Sequence, residues 1–162
     1  MAFESVSKYS KLIEKVISYL VELLKGISVY SEDKIRNDVK DKRWLEAIGT
    51  IHIQLTEELK YLFLKQTKTS FTIPLDNDDR RYKKITELMK GMRSKEVFDF
   101  ALVFNLIKES EYDKLITFNT LRNDFSHSFK KRAKYPEEKI QRSIEDMIKL
   151  EKILSVKVKS YS

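Results

Sequence analysis

One short segment of this chain carries side chains suited to acid–base chemistry on a phosphate. Asn123 directly follows Arg122, and His127 stands a little more than one helical turn further on. An arginine offers a planar, permanently charged fork that can hold a phosphate in two places, and a histidine exchanges a proton near neutral pH. An RNA strand supplies its own nucleophile, the 2′-hydroxyl, so cleavage needs only a proton acceptor or donor and a group that stabilises charge at phosphorus. Arg122 and His127 meet both needs, which predicts phosphodiester chemistry without a metal ion.

A helix is the element that must position these side chains. At about 100° per residue, a helix over residues 115–129 gathers its apolar side chains into one core-facing stripe. The stripe comprises Leu115, Phe118, Leu121, Phe125 and Phe129. A contiguous polar arc of roughly 140° lies beside the stripe. The arc comprises Asn119, Arg122, Asn123, Ser126 and His127. Polar groups at this edge are expected to border a groove between packed elements or subunits.

A basic run follows the polar arc directly. It consists of Lys130, Lys131, Arg132 and Lys134. With Ser126, these residues are predicted to hold an RNA backbone, chiefly through charge, and Tyr135 offers a ring on which a base can stack. A basic run after a helix is equally typical of a solvated turn that complements the helix C-terminus. The sequence leaves both interpretations open.

The string over residues 121–129, Leu-Arg-Asn-Asp-Phe-Ser-His-Ser-Phe, resembles the Arg-polar-x(3 to 5)-His motif of the HEPN superfamily. Members are small all-α domains, often homodimers, and many are metal-independent ribonucleases of toxin–antitoxin, abortive-infection and CRISPR systems. The resemblance implies that His127 is the general base or acid, that Arg122 stabilises the transition state, and that Asn123 orients the phosphate or the histidine. It also implies a homodimer with one shared cleft, a product ending in a 2′,3′-cyclic phosphate, and an antitoxin or regulatory protein as partner.

A second likeness implies a function of another class. Residues 98–129 are similar to the C-terminal half of mannitol-repressor-like proteins, which carry a comparable Leu-Arg-Asn-x-Phe-x-His string. That likeness implies a non-catalytic helical module that uses the polar arc to bind a partner. The chain also departs from one HEPN branch: toxins modified by a nucleotidyltransferase have a tyrosine two residues after the histidine, where this chain has Phe129. Regulation of that kind is not expected here.

The motif residues also have ordinary structural interpretations. His127 could be a helix-end histidine favoured by the helix dipole, and Arg122 could pair with Asp113 or Asp124. His52 has no carboxylate or second histidine at ligand spacing, so a structural role is predicted for it. No motif predicts a cofactor or a metal site, and the absence of cysteine excludes zinc sites of the cysteine type.

The composition predicts one all-α domain over residues 1–162. Only three glycines and two prolines interrupt a chain rich in strong helix formers. A net charge of +7, from 32 basic and 25 acidic residues, favours polyanionic partners, nucleic acid first. The lack of cysteine, of a secretory signal pattern and of a long apolar run predicts a cytoplasmic protein without a membrane segment.

Hydrophobic periodicity predicts an up-and-down bundle of about five or six helices, with two long N-terminal helices as a hairpin. The first predicted helix covers residues 3–25, and the second runs from a Ser31 cap to near Gln66. A short third helix ends at Gly91, and a fourth covers residues 94–107 from a Ser94 cap. The motif helix is capped by Ser110 and weakens over residues 126–128, and a final helix follows Pro136. A loop is predicted over residues 67–78.

Overall fold

The computed structural model describes residues 31–70 and 80–160, and within these ranges every regular element is an α-helix. The seven helices are α1 (Glu32–Lys40), α2 (Trp44–Ser70), α3 (Arg80–Gly91), α4 (Ser94–Val103), α5 (Glu109–His127), α6 (Phe129–Arg132) and α7 (Glu137–Ser160). The all-α prediction is therefore confirmed. The predicted helix over residues 3–25 lies outside the described residues. The predicted loop over residues 67–78 is wrong for residues 67–70, which continue α2 to Ser70, and its remainder lies outside the described residues.

The second predicted helix is two helices, because the chain turns sharply at Lys42. Lys42 adopts a left-handed conformation with φ of 57°. The Lys42 N–H donates to the Val39 carbonyl at 3.1 Å and the Arg43 N–H donates to the Asp38 carbonyl at 2.7 Å, which is the Schellman pattern of a helix end. The Arg43 guanidinium also lies 2.7 Å from the buried Asp38 carboxylate. These bonds satisfy the last carbonyls of α1 and start α2 in a new direction.

A second left-handed residue shortens the next predicted helix. Asn105 has φ of 56°, and its N–H donates to Leu102 while that of Leu106 donates to Ala101. Helix α4 therefore ends at Val103 rather than at Ile107. Leu106 is nevertheless buried, as the predicted apolar pattern requires.

Two helices begin earlier than their predicted serine caps. In α4 the Arg93 N–H donates to the Glu96 carboxylate at 2.7 Å, and in α5 the Lys108 N–H donates to the Glu111 carboxylate at 2.8 Å. A glutamate at the third position of a helix can satisfy a backbone N–H at the start of the helix. The predicted caps Ser94 and Ser110 consequently lie inside the first turns of their helices.

Helix α2 is the central element, with α7, α1, α4 and α5 packed around it. Its buried apolar residues include Ile48, Ile51, Leu55, Leu59 and Leu62. Helix α1 is also fixed to α7 by ion pairs, in which Arg36 contacts Glu145 at 2.7 Å. This arrangement holds α5 against both α2 and α7, with one edge exposed. Among the described helices, none combines the length and the apolar character needed to cross a membrane.

Candidate functional site

Helix α5 presents the motif at its C-terminal end. The helix ends at His127 because Ser128 is extended, with φ of −148° and ψ of 104°, while the Ser128 N–H still donates to the Asp124 carbonyl at 3.1 Å. The predicted weakening of the helix over residues 126–128 is thus observed. The Ser128 hydroxyl then accepts the Lys131 N–H at 3.3 Å and caps α6. Ser128 alone separates the motif helix from α6, in which the basic run begins.

The predicted division of α5 into an apolar stripe and a polar edge holds where the structure describes the side chains. The four buried side chains of the helix are Leu115, Phe118, Leu121 and Phe125. Asn123, Ser126 and His127 are exposed, and Asn119 and Arg122 are half-buried. The motif side chains therefore lie on the solvent side of a helix whose other side is fixed in the core.

Arg122 forms a hydrogen bond to a neutral group rather than to an acid. Its Nη1 donates to Asn123 Oδ1 at 3.1 Å. Among the described residues, no carboxylate lies within ion-pair distance of the Arg122 guanidinium. The guanidinium therefore retains its charge at the edge of α5, where it is only partly screened by protein.

The Asp124 carboxylate, which follows Asn123 in the sequence, is bonded to other residues. The Tyr135 hydroxyl donates to Asp124 Oδ2 at 2.7 Å, and Lys131 Nζ lies 3.2 Å from Asp124 Oδ1. The Tyr135 hydrogen bond, followed by the Lys131 contact, holds the pKa of Asp124 below its usual value, and the same Asp124 bond raises the pKa of Tyr135. A pairing of Arg122 with Asp124, one of the two structural alternatives, is thus not formed.

The basic run divides into two kinds of side chain. Lys130, Lys131 and Lys134 are exposed, whereas Arg132 is half-buried with its guanidinium 5.9 Å from the centre of the Phe125 ring. The ring of Tyr135 lies 6.0 Å from that of Phe125. Tyr135 is therefore fixed at both its ring and its hydroxyl. The three lysines keep the accessibility that a phosphate backbone requires.

His52 connects the central helix to the motif helix, a contact that the sequence did not reveal. Its Nε2 lies 3.0 Å from Asn119 Oδ1, and its ring meets that of Phe98 edge-on at 5.9 Å. Burial lowers the pKa of His52, the nearby Arg122 charge lowers it further, and the Asn119 hydrogen bond acts in the opposite direction. His52 has the structural environment predicted for it, although its partner is a residue of the polar arc.

A cleft of about 610 Å³ opens beside the site. Its lining includes Trp44 and Leu45 of α2, Phe125 of α5, and Arg132 and Tyr135. Arg122 and His127 do not line this cleft, and Phe125 of the buried stripe is the residue of α5 in its lining. In the described part of the chain, no three histidine, aspartate or glutamate side chains are grouped so as to hold a metal ion.

Comparisons of the chain with protein-family models, with curated proteins and with solved structures found no match. The HEPN likeness therefore stays a prediction from the motif. The candidate site consists of residues of α5, α6 and α2 and of the contacts among them.

Proposed function

We propose that this chain is a metal-independent endoribonuclease of the HEPN type. One observation carries the proposal: the Arg122 guanidinium lies at the partly exposed edge of α5, bonded to the neutral Asn123 amide, with no acidic partner among the described residues. A surface arginine without a carboxylate keeps its charge for an anionic ligand. The exposed His127 imidazole on the same polar arc supplies the proton acceptor or donor.

The proposed reaction uses the RNA's own nucleophile. His127 takes the proton from a 2′-hydroxyl, the 2′-oxygen attacks the adjacent phosphorus, and the bond from phosphorus to the 5′-oxygen of the next nucleotide breaks. The leaving oxygen is protonated by an imidazolium, and the products carry a 2′,3′-cyclic phosphate and a 5′-hydroxyl. Arg122 stabilises the charge on the non-bridging oxygens. Asn123 restrains the guanidinium through its 3.1 Å hydrogen bond.

The basic run provides a binding surface for the RNA strand. Lys130, Lys131 and Lys134 are exposed and follow His127 after a single extended residue. The charges of Lys130 and Lys134 can hold the phosphates that flank the cleaved bond, whereas that of Lys131 is shared with Asp124 at 3.2 Å. A homodimer would bring two copies of the arc to one cleft, so that one imidazole can act as base and the other as acid. A cytoplasmic toxin or defence enzyme restrained by a protein partner is the role that this proposal implies.

The decisive experiment is RNA cleavage in excess EDTA. The wild-type protein is expected to cut RNA and leave 2′,3′-cyclic phosphate ends, and His127→Ala is expected to lower the rate by roughly a hundredfold or more, as loss of a general acid or base does. Thr117→Ala is a matched control, because the exposed Thr117 hydroxyl bonds to the Asp113 carbonyl of its own helix at 2.8 Å. Circular dichroism and the oligomeric state should be unchanged in both variants.

Failure of the wild-type protein to cleave any RNA tested would reject the enzyme. The second hypothesis, a non-catalytic helical module resembling the mannitol-repressor-like proteins, would then account for the same exposed arc.

A further inference from the structure

One buried hydrogen bond joins the central helix to the polar arc of α5. His52 is only 5 % exposed, and its Nε2 lies 3.0 Å from Asn119 Oδ1. Asn119 is half-buried and is separated from Arg122 and Asn123 by about one helical turn, so the three side chains are neighbours on the helix surface. The bond therefore fixes one amide at the inner edge of the site.

The surroundings of His52 keep its imidazole neutral. Helix α4 faces it with the apolar Phe98 ring, and α5 faces it with Asn119 and with the positive charge of Arg122. Burial and the Arg122 charge both favour the uncharged ring, which then has one N–H donor and one acceptor nitrogen. When Nε2 carries the hydrogen, the ring donates to Asn119 Oδ1.

We propose that Asn119 is a further phosphate-binding residue beside Arg122 and Asn123 and that His52 is its positioning residue. The inference rests on the proposed function and names a further part of the same site. With Oδ1 directed at His52, the Nδ2–H₂ donors of Asn119 have no partner among the described residues, and such donors suit a non-bridging phosphate oxygen. His52 thereby holds the amide in the orientation that leaves both donors for the ligand.

Binding of an uncleavable ligand tests the Asn119 donor. The probe is a deoxydinucleotide, which lacks the attacking 2′-hydroxyl. Asn119→Asp keeps an oxygen for His52 but removes the donor, and should weaken binding by about tenfold or more, as expected for a lost hydrogen bond to a charged group. Thr120→Asp adds the same charge at the exposed neighbouring position and should weaken binding much less. Equal losses in the two variants would overturn the proposal, because charge alone would explain them.

The His52 tautomer gives a readout that does not depend on cleavage. Nitrogen-15 NMR of the wild-type protein should show hydrogen on Nε2 of His52, and addition of the deoxydinucleotide should shift the Asn119 side-chain amide signals. Hydrogen on Nδ1 would overturn the inference, because Asn119 would then donate to the ring. If the Nε2 tautomer and the binding pattern are found while RNA stays intact, the ribonuclease is rejected and the phosphate site stands.

Two substitutions of His52 test its positioning role. His52→Gln retains a side-chain N–H that can donate to Asn119, whereas His52→Leu has none. The glutamine variant should bind the deoxydinucleotide nearly as well as the wild type, and the leucine variant about tenfold less well. Equal affinities would overturn the role of His52. If the leucine variant fails to fold, the tautomer measurement decides.

Discussion

Three consecutive residues of α5 have different partners, and the difference determines what the site can bind. Arg122 contacts the neutral amide of Asn123, while the Asp124 carboxylate is engaged by Tyr135 and Lys131. Side chains two positions apart on a helix do not face each other, and Asp124 is directed toward Tyr135 and Lys131 rather than toward the guanidinium. Arg122 therefore has no carboxylate partner among the described residues.

Replacement of the guanidinium tests whether its shape matters beyond its charge. Arg122→Lys retains a positive charge but loses the planar fork, so RNA cleavage should fall by roughly a hundredfold, within the range for a lost transition-state donor. Steady-state rates measured in excess EDTA, with melting curves for both proteins, would establish the loss. A lysine variant as active as the wild type would show that charge alone suffices.

At the scale of the helix, two left-handed residues determine where α1 and α4 end. Lys42 and Asn105 both occupy the position that glycine favours in a Schellman motif. Asparagine tolerates this conformation, whereas lysine pays a steric penalty from its Cβ. The end of α1 is therefore formed by an unfavourable residue held in place by its surroundings.

Glycine at this position should stabilise the protein. Lys42→Gly removes the strain of a left-handed lysine and loses an exposed ion pair to Glu137 at 3.0 Å, which contributes little. We expect the free energy of unfolding to rise by about 0.5–1 kcal/mol in urea denaturation. Lys40→Gly, placed in the last turn of α1, is the matched control and should lower it by roughly 0.5–1 kcal/mol. A destabilised Lys42→Gly protein would contradict this account.

The sequence predicted the helical class and most apolar faces, because periodicity is a local property. It did not predict the break at Lys42, since neither glycine nor proline marks it. The polar arc of α5 was likewise predictable from spacing alone. Its contacts were not, because His52 and Asn119 belong to separate helices and Tyr135 reaches Asp124 from the connection between α6 and α7, and no local pattern encodes such pairs.

Across the bundle, a pair of carboxyl groups, one buried and one half-buried, joins α2 to α7. Glu58 is 1 % exposed, and Glu151 Oε1 accepts a hydrogen bond from Gln54 Nε2 at 2.6 Å. Burial, followed by the neighbouring Glu151 charge, raises the pKa of Glu58 to about 8. Burial also raises the pKa of Glu151. At neutral pH Glu58 is therefore protonated in the folded protein.

This pair makes stability depend on pH in a defined direction. Between the ordinary pKa of 4.5 and the folded pKa of about 8, Glu58 has lost its proton in the unfolded chain but keeps it in the folded protein. The free energy of unfolding should therefore fall as pH rises through this range and level off above it. Glu58→Gln, neutral at every pH, should flatten the slope in urea titrations, whereas the less buried Glu57→Gln should not. A wild-type protein whose stability is constant from pH 5 to 8 would contradict this.

The dimer belongs to the proposed function and can be tested separately. Sedimentation equilibrium should give twice the chain mass of 19.3 kDa at the concentrations where RNA is cleaved. His127→Ala should sediment identically, because an exposed imidazole at the end of α5 is assigned to chemistry and not to folding. A monomeric mass in an active preparation would exclude a cleft shared by two subunits and would show that one chain forms the active site.

Three polar side chains of α2 oppose the rotation of this largely apolar helix about its own axis. Its leucines and isoleucines are not confined to the buried side, because Ile48, Ile51 and Leu59 are buried while Leu45 and Ile53 are exposed. Apolar contacts alone therefore specify the rotation of the helix about its axis only weakly. Such a rotation would separate His52 from Asn119 of α5, and Gln54 and Glu58 from Glu151 of α7, so that His52 and Gln54 would be buried without partners. These three residues fix the rotation of the central helix about its own axis. That rotation also determines the angle at which the polar arc of α5 faces solvent.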